Sequence, residues 1–277
     1  MKIICDAPGQ TCNRLWSYIA SISECVVRKK RMVILFYDYT ITDFPNLRNC
    51  KFIYFPLYHP WYLNRGNGWN KFKGLTWKAT HNKNMDKIYK FLGFTVGWNT
   101  RRETRYIVDA KKEIIKIFTP KKEITDQVQN LFSTIKANSD LIVGVHIRRG
   151  DYKTWHDGRF FFSLSEYYEF MKRISALYPD KKTAFFISSN EEFDVNMFSE
   201  LQCYRITNPI SITSDLYALS QCDLITGPPS TFSRWASFYG EKPLSFLYST
   251  EQNISKESFS PMVDFFHLAN GEEIFDW

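Results

Sequence analysis

One stretch of this sequence, residues 140–152, constrains the fold more than any other, because a run of apolar residues ends there in a cluster of charges. Residues 141–147 are apolar except for His146, which is typical of a parallel strand that is covered on both faces. Arg148 and Arg149 follow this strand directly. Ligands of open α/β sheets bind outside the carboxyl ends of such strands, and adjacent arginines present planar donor forks suited to phosphate. The stretch therefore predicts an anion site, with a diphosphate as its ligand.

The composition is that of a globular protein with a large core. The chain has 277 residues, of which 44% are hydrophobic and 17% aromatic, and this length suits one large or two small domains. The six cysteines form no Cys-x-x-Cys pair, so we interpret them as reduced thiols packed as small apolar side chains. No apolar run approaches the roughly 20 residues of a membrane span. The charges of Lys2 and Asp6 argue against a signal peptide, so we expect a cytoplasmic protein that could also lie at the cytoplasmic face of a membrane.

The net charge of +7 is concentrated in one segment. Residues 60–122 contain 15 Lys and Arg but only 4 Asp and Glu, and they include Trp61, Trp69, Trp77 and Trp98. Basic residues interleaved with aromatic ones can bind nucleic acid, anionic lipid or a glycan. A solvated basic face with aromatic side chains packed beneath it fits the same pattern.

The N-terminal residues are predicted to form a strand at 2–6, a helix at about 13–30 and a second strand at 32–37. The helix is indicated by apolar residues that recur on one face. This order would place four residues at a helix N-terminus, where anions bind readily. These residues are Gly9, Gln10, Asn13 and Arg14. An ordinary turn between a strand and a helix fits the spacing equally well.

The middle of the chain, residues 38–104, is harder to assign, because Pro, Gly and Asn interrupt each pattern. The elements expected here and just beyond are a strand at 52–55, a helix at 82–92, a short extended segment at 106–109, and a helix from Thr119-Pro120 to about residue 137. Pro at the first position of a helix after a Thr cap supports the last of these. We place the domain boundary in this last region.

Strands and helices alternate across residues 140–247, which predicts a nucleotide-binding α/β domain with a parallel sheet. After the strand at 141–147, the expected strands are 184–187, 203–206, 223–226 and 244–247, and the expected helices are 163–177, 213–220 and 230–238. Ser163 and Glu166 have the spacing of a capping box, as do Ser189 and Glu192. We expect the aromatic and acidic tail, residues 251–277, to pack back across the first domain.

Three loops of this half follow strands and should therefore meet at one edge of the sheet. They are residues 146–151, the loop Ser188-Ser189-Asn190, and the loop 227–232, which contains Ser230, Thr231 and Phe232. Hydroxyl groups and free N–H groups at a helix start suit a phosphate. For each hydroxyl loop alone, helix capping is the better explanation, but the convergence with an arginine pair favours a crevice for a nucleotide diphosphate.

The sequence also bears on metal ions and on other nucleotide enzymes. It contains no Asp-x-Asp, the kind of carboxylate cluster with which many diphosphate enzymes hold Mg²⁺ or Mn²⁺. The arginine pair can neutralise a leaving diphosphate instead. Neither a Gly-x-x-x-x-Gly-Lys-Ser/Thr loop nor a Gly-x-Gly-x-x-Gly motif occurs, which disfavours P-loop ATPases and dinucleotide oxidoreductases.

The segment His-Ile-Arg-Arg-Gly-Asp-Tyr at 146–152 resembles the signature of the α-1,2-fucosyltransferases of glycosyltransferase family 11. Residues 214–223 (SDLYALSQCD) and 229–236 (PSTFSRWA) resemble two further segments of that family. The loop GQTCNR at 9–14 is similar to the family's N-terminal loop, although Cys12 replaces its second glycine. The resemblance is strong at 1–20 and 140–240 and weak between them.

The resemblance implies an α/β, GT-B-like architecture with two Rossmann-like domains that face each other across a cleft. Residues 1–137 would form the acceptor-side domain, 138–250 the GDP-sugar-binding domain and 251–277 the tail. It also implies inverting, metal-independent transfer of L-fucose from GDP-fucose to an oligosaccharide or lipid-linked glycan, with α-1,2 linkage to galactose. GDP-fucose would be a substrate, and no cofactor is expected.

The same resemblance implies roles for residues of the central motif. Arg148 would bind the β-phosphate and stabilise the departing GDP. Arg149 and Asp151 would shape the same site, with Asp151 orienting an arginine. His146 would either bind the nucleotide or hold the loop.

Further donor contacts are implied around this motif. Ser230, Thr231 and Phe232 would complete the phosphate cradle, and Asn13 and Arg14 would face it from the first domain. The loop residues Ser189 and Asn190 belong to the same predicted edge. Asp215 would contact the ligand, although a carboxylate near a helix N-terminus could also serve the helix dipole alone.

The acceptor hydroxyl needs a general base, and the loop after the motif supplies His156 and Asp157, at about the place where related enzymes carry an acid. This loop, residues 153–158, departs from the family's patterns, so we expect it to contribute to acceptor specificity. Two alternatives stay open: transfer of another GDP-sugar or through another fucosyl linkage, and a non-enzymatic protein that binds nucleic acid or an anionic surface through 60–122. The second alternative leaves the loops at 146–152 and 227–235 unexplained.

Overall fold

The computed structural model describes residues 1–5, 8–35, 39–56, 88, 91–95 and 104–274. The chain divides into two compact units, residues 1–121 and 122–277. In the part of the chain that is described, no helix is long and apolar enough to cross a membrane. The predictions that lie outside the described residues include most of the helix at 82–92 and the tryptophans Trp61, Trp69, Trp77 and Trp98.

The first unit is built on a parallel sheet whose described strands follow the order β3-β2-β1-β4. The strands are β1 (Lys2–Ile4), β2 (Met32–Ile34), β3 (Ile53–Tyr54) and β4 (Phe94–Thr95), and the helices are α1 (Thr11–Val27), α2 (Pro45–Arg48) and α3 (Ile107–Ile117). The predicted succession of strand, loop, helix and strand at the N-terminus is thereby confirmed.

Helix α1 buries the apolar face that predicted it, including Leu15, Ile19 and Ile22. It ends before the predicted residue 30, because Arg28 leaves the helical conformation and Lys29 has a φ of 52°, in the left-handed region. Helix α3 packs against α1. A short extended segment was expected at 106–109, and this expectation was wrong, because the apolar residues that start there recur at helical spacing along α3.

The second unit is built on a sheet with the strand order β10-β9-β8-β5-β6-β7, parallel except for β10. The strands are β5 (Leu141–Ile147), β6 (Thr183–Ser189), β7 (Gln202–Tyr204), β8 (Leu224–Gly227), β9 (Pro243–Phe246) and β10 (Ser260–Pro261). The helices are α4 (Lys122–Lys136), α5 (Leu164–Ala176), α6 (Ile212–Leu219) and α7 (Thr231–Gly240). The expected mixed α/β fold with parallel sheets is confirmed, and the predicted elements of 140–247 are found with bounds shifted by a few residues.

The two predicted capping boxes had different outcomes. At the start of α5, Ser163 and Glu166 make both reciprocal hydrogen bonds, so this box is confirmed. The box at Ser189 was wrong, because no helix begins there. The Ser189 hydroxyl accepts a hydrogen bond from the N–H of Glu191 at 3.1 Å, and the next helical turn is capped by Asp194.

Along the sequence, the division between the two units falls at 121/122, whereas the predicted domain boundary was at 137/138. Helix α4 packs against α6, so it belongs with the second sheet. The tail was expected to pack back across the first domain, and that contact stays a prediction; within the second unit, its strand β10 pairs with β9. The buried guanidinium of Arg234 in α7 donates to the carbonyl oxygen of Phe265 at 2.8 Å, which fixes the tail further. Edge pairing and this hydrogen bond attach the tail to the second sheet.

Candidate functional site

Strands β8, β5 and β6 lie side by side and run parallel, so their carboxyl ends meet at one edge of the second sheet. The register pairs His146 with Ser188 and Val145 with Thr226. Polar loops therefore leave neighbouring strands at the same level. The structure brings together, within one unit, the three loops that the sequence predicted to converge.

Arg148 is held from two sides at the end of β5. Its Nε and Nη2 atoms donate to the two carboxylate oxygens of Asp151, each at 2.8 Å. Its backbone N–H donates to the hydroxyl of Tyr167 at 3.3 Å. The Arg148 side chain is 19% exposed, whereas that of Asp151 is 57% exposed. This arrangement fixes a positive charge close to solvent, and the Asp151 contact is the orienting one that was predicted.

Arg149 lies against the loop that follows β6. Its backbone N–H donates to Oδ1 of Asn190 at 3.1 Å, and its Nη1 atom lies 3.6 Å from a carboxylate oxygen of Glu191. Its guanidinium carbon lies 5.1 Å from the centre of the Phe161 ring. The Nε atom is buried and has no hydrogen-bond partner among the described residues. Because buried donors are nearly always paired, this atom is a natural donor for a bound anion.

His146 is buried between β5 and α7. Its Nδ1 atom lies 3.0 Å from the hydroxyl oxygen of Ser233, and its ring centre lies 4.8 Å from that of Phe232. Burial, together with the charge of Arg148, lowers the pKa of His146 to about 3. A neutral imidazole with these neighbours connects the strand to the helix, which fits the loop-holding role among the two that were predicted.

Gly227 ends β8 at a point where no side chain fits. Its φ is 145°, and an added Cβ would lie 2.4 Å from the carbonyl oxygen of His146. We expect Gly227→Ala to lower the free energy of unfolding by about 3 kcal/mol or more, through backbone strain and overpacking together. Urea denaturation of the two proteins measures this loss.

A matched control for Gly227→Ala is Gly271→Ala. Gly271 also has a positive φ, 89°, but nothing lies within 4 Å of its added Cβ. Its replacement should cost only the strain, roughly 1–2 kcal/mol. Equal losses in the two variants would show that the close approach of Gly227 to His146 is unimportant.

The loop after β8 leads into α7 and supplies a helix N-terminus. Ser230 is the N-cap, and its hydroxyl accepts a hydrogen bond from the N–H of Phe232 at 3.1 Å. Thr231 is the first residue of the helix, and Ser230, Thr231 and Phe232 are all partly exposed. The first N–H groups of a helix lack intrahelical partners and attract anions. The residues predicted to cradle the phosphate therefore lie at a helix N-terminus that suits an anion. Ser230 also caps this helix, as the alternative interpretation predicted.

Asp215 is buried near the N-terminus of α6 and faces the end of β6. Its carboxylate accepts a hydrogen bond from the hydroxyl of Ser188 at 3.0 Å. Burial raises the pKa of Asp215 to about 6, although the Ser188 hydrogen bond and the charge of Arg205 oppose this shift. A carboxylate with a pKa this high, at the carboxyl edge of the sheet, is typical of a functional site. The same position also suits a carboxylate that interacts only with the positive end of the helix dipole.

The loop 153–158 holds an unusual backbone. His156, Asp157 and Gly158 all have φ in the left-handed region, at 47°, 55° and 75°. The side chains of His156 and Asp157 are exposed. The ring centre of His156 lies 4.4 Å from that of Trp155 in an edge-to-face arrangement. Two consecutive non-glycine residues in this region store strain, and such strain concentrates at functional sites.

Asn13 and Arg14 lie in the first turn of α1, in the first unit. The Nη2 atom of Arg14 donates to the carbonyl oxygen of Gly9 at 2.7 Å. Gly9 has a φ of 56°, and an added Cβ would lie 2.3 Å from the Asn13 amide nitrogen. The loop is thus closed on its own helix, and the approach of these residues to a donor stays a prediction.

The sequence did not single out four residues of this edge. Tyr152 contacts the guanidinium of Arg148, and the hydroxyl of Tyr167 accepts a hydrogen bond from the backbone N–H of Arg148. Glu191 forms an ion pair with Arg149, and the charge of Arg205 opposes the rise in the pKa of Asp215. Tyr152 was available as part of the central motif. The other three come from elements whose contacts appear only when the sheet is assembled. In the described part of the chain, no group of three or more His, Cys, Asp or Glu side chains is arranged to hold a metal ion.

Comparisons with known proteins agree with a site for a nucleotide diphosphate at this edge of the sheet. The sequence model of the family described as "Glycosyl transferase family 11" matches residues 78–258, which is more than half of the chain. No match was found among curated proteins.

Solved structures with the same fold include several fucosyltransferases. POFUT1 in complex with GDP-fucose is 12% identical with a TM-score of 0.54, over 88% of this chain and 96% of that one. Fucosyltransferase NodZ from Bradyrhizobium is 17% identical with a TM-score of 0.51, over 86% and 90%. A variant of Arabidopsis thaliana FUT1 in complex with GDP is 12% identical with a TM-score of 0.57, over 99% and 76%. At these identities, the likeness concerns the fold.

Proposed function

The chain belongs to glycosyl transferase family 11, and we propose that it transfers L-fucose from GDP-fucose to a hydroxyl of a glycan, through an α-1,2 linkage to galactose. One observation carries the proposal. The central strand β5 ends in an arginine pair, and Arg148 is fixed there by both oxygens of Asp151. A sugar diphosphate donor releases an anion, and fixed positive charge at that point stabilises the transition state.

The choice of GDP-fucose as donor is supported by the structures that share this fold. Among them, POFUT1 was solved in complex with GDP-fucose, and NodZ, named as an α-1,6-fucosyltransferase, was soaked with it. The central motif of this chain, which follows β5, resembles the fucosyltransferase signature. The buried carboxylate of Asp215 adds an acceptor for the donor groups of a purine base.

The transfer step is proposed to invert the configuration at C1 of fucose. The acceptor oxygen forms a bond to C1 as the bond from C1 to the β-phosphate oxygen breaks. The electron pair leaves with GDP, beside Arg148 and Arg149, while the acceptor proton passes to a base. His156 and Asp157 are the candidates for this base, since they are exposed on a loop that follows the arginines directly.

We propose that the arginine pair, without a metal ion, neutralises the leaving diphosphate, and that the enzyme needs no cofactor. The planar forks of two arginines match a diphosphate well, and the buried Nε atom of Arg149 is one donor for it. We also propose that the enzyme works in the cytoplasm, with the basic segment 60–122 at the membrane surface or at a lipid-linked acceptor. The charge of that segment supports this location.

Ligand binding tests the donor assignment. In the presence of EDTA, GDP at about 100 times its Kd should raise the free energy of unfolding by about 2.7 kcal/mol, with a matching rise in Tm. UDP and ADP at the same concentration should produce much smaller shifts, because their bases present different hydrogen-bonding edges. A thermal shift series with GDP, GDP-fucose, UDP and ADP measures this. Equal shifts for the three nucleotides would remove the donor assignment, and a GDP shift that requires added Mg²⁺ would remove metal independence.

The linkage is tested separately by determining the structure of the product by NMR after incubation with GDP-fucose and a galactose-terminated oligosaccharide. A fucosyl residue on O2 of galactose, in the α configuration, supports the proposal. Another linkage, or transfer from another GDP-sugar only, would favour the alternative of a related transferase.

A further inference from the structure

We propose that Tyr152 is a positioning residue of the donor site, whose hydroxyl fixes the helix end at Ser230 relative to the guanidinium of Arg148. The role rests on the proposed function, because it concerns the same diphosphate. The ligand that both groups would meet is the terminal phosphate of a nucleoside diphosphate.

The hydroxyl of Tyr152 connects two of the converging loops. It belongs to the turn after β5, and it donates a hydrogen bond to the carbonyl oxygen of Pro229, in the loop after β8. Pro229 directly precedes Ser230, the cap of α7. Pro229 is buried, and a buried carbonyl needs a donor. The Tyr152 hydroxyl supplies it, so this hydrogen bond attaches the loop after β8 to the turn after β5.

The ring of Tyr152 connects the same hydroxyl to the arginine. Its centre lies 5.8 Å from the guanidinium carbon of Arg148, and on another side it lies 4.6 Å from the ring of Trp155. The side chain is only 6% exposed. One rigid side chain therefore contacts Arg148, the loop after β8 through Pro229, and the loop 153–158 through Trp155.

The hydroxyl stays a donor throughout the working range of pH. Burial raises the pKa of Tyr152 to about 12, although the charge of Arg148 and a hydrogen bond with Ser230 oppose this rise. A phenol with this pKa is not ionised near neutral pH and so cannot act as a base, and its proton is already donated to Pro229. Its contribution is therefore geometric, and small displacements of a charged group relative to a reacting phosphate are costly in rate.

The test compares Tyr152→Phe with wild type, because phenylalanine keeps the ring and removes only the hydroxyl. GDP and GMP differ in the terminal phosphate. The ratio of their affinities, measured by titration calorimetry, therefore reports the contribution of the contacts to that phosphate. We expect wild type to prefer GDP strongly, and we expect this GDP-to-GMP ratio to fall about tenfold in Tyr152→Phe, with GMP affinity within about twofold. In steady-state kinetics, kcat should fall more than KM for the donor rises, because the phosphate charge grows in the transition state.

The matched control is Tyr168→Phe. Tyr168 lies on α5, and its hydroxyl donates to Glu200 at 2.7 Å on the protein surface. This variant should keep the wild-type ratio of affinities and the wild-type kcat. It shows how much the loss of a tyrosine hydroxyl changes the ratio of affinities and kcat through stability alone.

The outcomes separate this role from the proposed function. An unchanged GDP-to-GMP ratio in Tyr152→Phe, with or without a lower Tm, would overturn the positioning role while the donor site stands. A wild-type protein that binds GDP no better than GMP would overturn the proposed phosphate site, and the role of Tyr152 with it. A selective loss of the terminal-phosphate preference supports the role.

Discussion

Replacing Arg148 with alanine is expected to lower kcat by about 10³-fold while leaving the fold intact, the largest effect of any single substitution we propose. The guanidinium stands at the carboxyl end of the central strand, and Asp151 fixes it through two hydrogen bonds. In the proposed reaction, negative charge grows on the departing diphosphate as the sugar bond breaks. A fixed donor at that point stabilises the transition state more than the bound substrate, so the loss should appear mainly in kcat.

The fold of Arg148→Ala should survive, since the carboxylate that loses its ion pair, on Asp151, is largely exposed. A surface ion pair contributes at most about 1 kcal/mol to stability. Arg148→Lys is the informative second variant, because it keeps the charge but loses the two-pronged contact, and it should retain part of the activity. Lys181→Ala, which removes an exposed cation elsewhere in the same unit, is the control and should behave as wild type.

The measurement is initial rates at saturating GDP-fucose, with circular dichroism and Tm as checks on folding. Turnover within a factor of two of wild type in a folded Arg148→Ala would remove the central chemical claim. If Arg148→Lys has the full wild-type rate, then charge alone is needed at this position, and the geometry set by Asp151 contributes little.

Local patterns in the sequence were sufficient for much of this site. The buried strand β5 and the charges after it are contiguous, so their place at the end of a central strand followed directly. The pair of Arg148 and Asp151 is also local, since the residues are three apart. The helix start at Ser230 was visible from its prolines and hydroxyls. Where the determining contacts are near in sequence, the pattern predicted the structure.

Contacts between distant segments account for what the sequence did not predict. Tyr167 reaches the backbone of Arg148 only because α5 packs on the sheet, and nothing in its own neighbourhood indicates this. The capping spacing at Ser189 was misleading, because a capping box specifies a helix only when a periodic apolar run follows it. The pairing of the tail with β9 was also not predicted, because edge pairing depends on a distant strand and not on the sequence of the tail alone.

Asp215→Asn is the second prediction with a large expected effect, and it has opposite signs for stability and for binding. The pKa of Asp215 is raised from an ordinary value of 3.8 to about 6, mainly by burial. A raised folded-state pKa gives stability that is present below the unfolded value and is lost as the pH rises through about 6. At pH 8 the buried charge therefore costs stability, up to about 3 kcal/mol.

Asparagine cannot ionise, but its amide oxygen can still accept the hydrogen bond from Ser188. Without ligand, Asp215→Asn should therefore be more stable than wild type at pH 8, by up to about 3 kcal/mol, and the difference should shrink toward zero near pH 4. Urea denaturation at pH 8, 6 and 4 measures this. Such a result would mean that the chain keeps a costly charge at this position, which requires a compensating function.

Binding of GDP should change in the other direction. The Watson–Crick edge of guanine carries two adjacent N–H donors, which a carboxylate can accept together, whereas asparagine presents only one acceptor beside a donor. We expect Asp215→Asn to weaken GDP about 10- to 100-fold, and we expect wild-type affinity to fall as the pH drops through about 6. Calorimetric titrations from pH 5 to 8 would show both effects.

A variant that binds GDP as well as wild type, yet is less stable at pH 8, would instead assign Asp215 to the helix dipole, because a charge in the first turn of α6 would then be stabilising. The two results have opposite signs for stability, and only the first includes weaker GDP binding, so one substitution decides between them. If the carboxylate contacts the base, then the edge of the sheet holds the base and the diphosphate of the donor at different strands. The diphosphate would lie at β5 and β8 and the base at β6, which is the arrangement that the order of these strands allows.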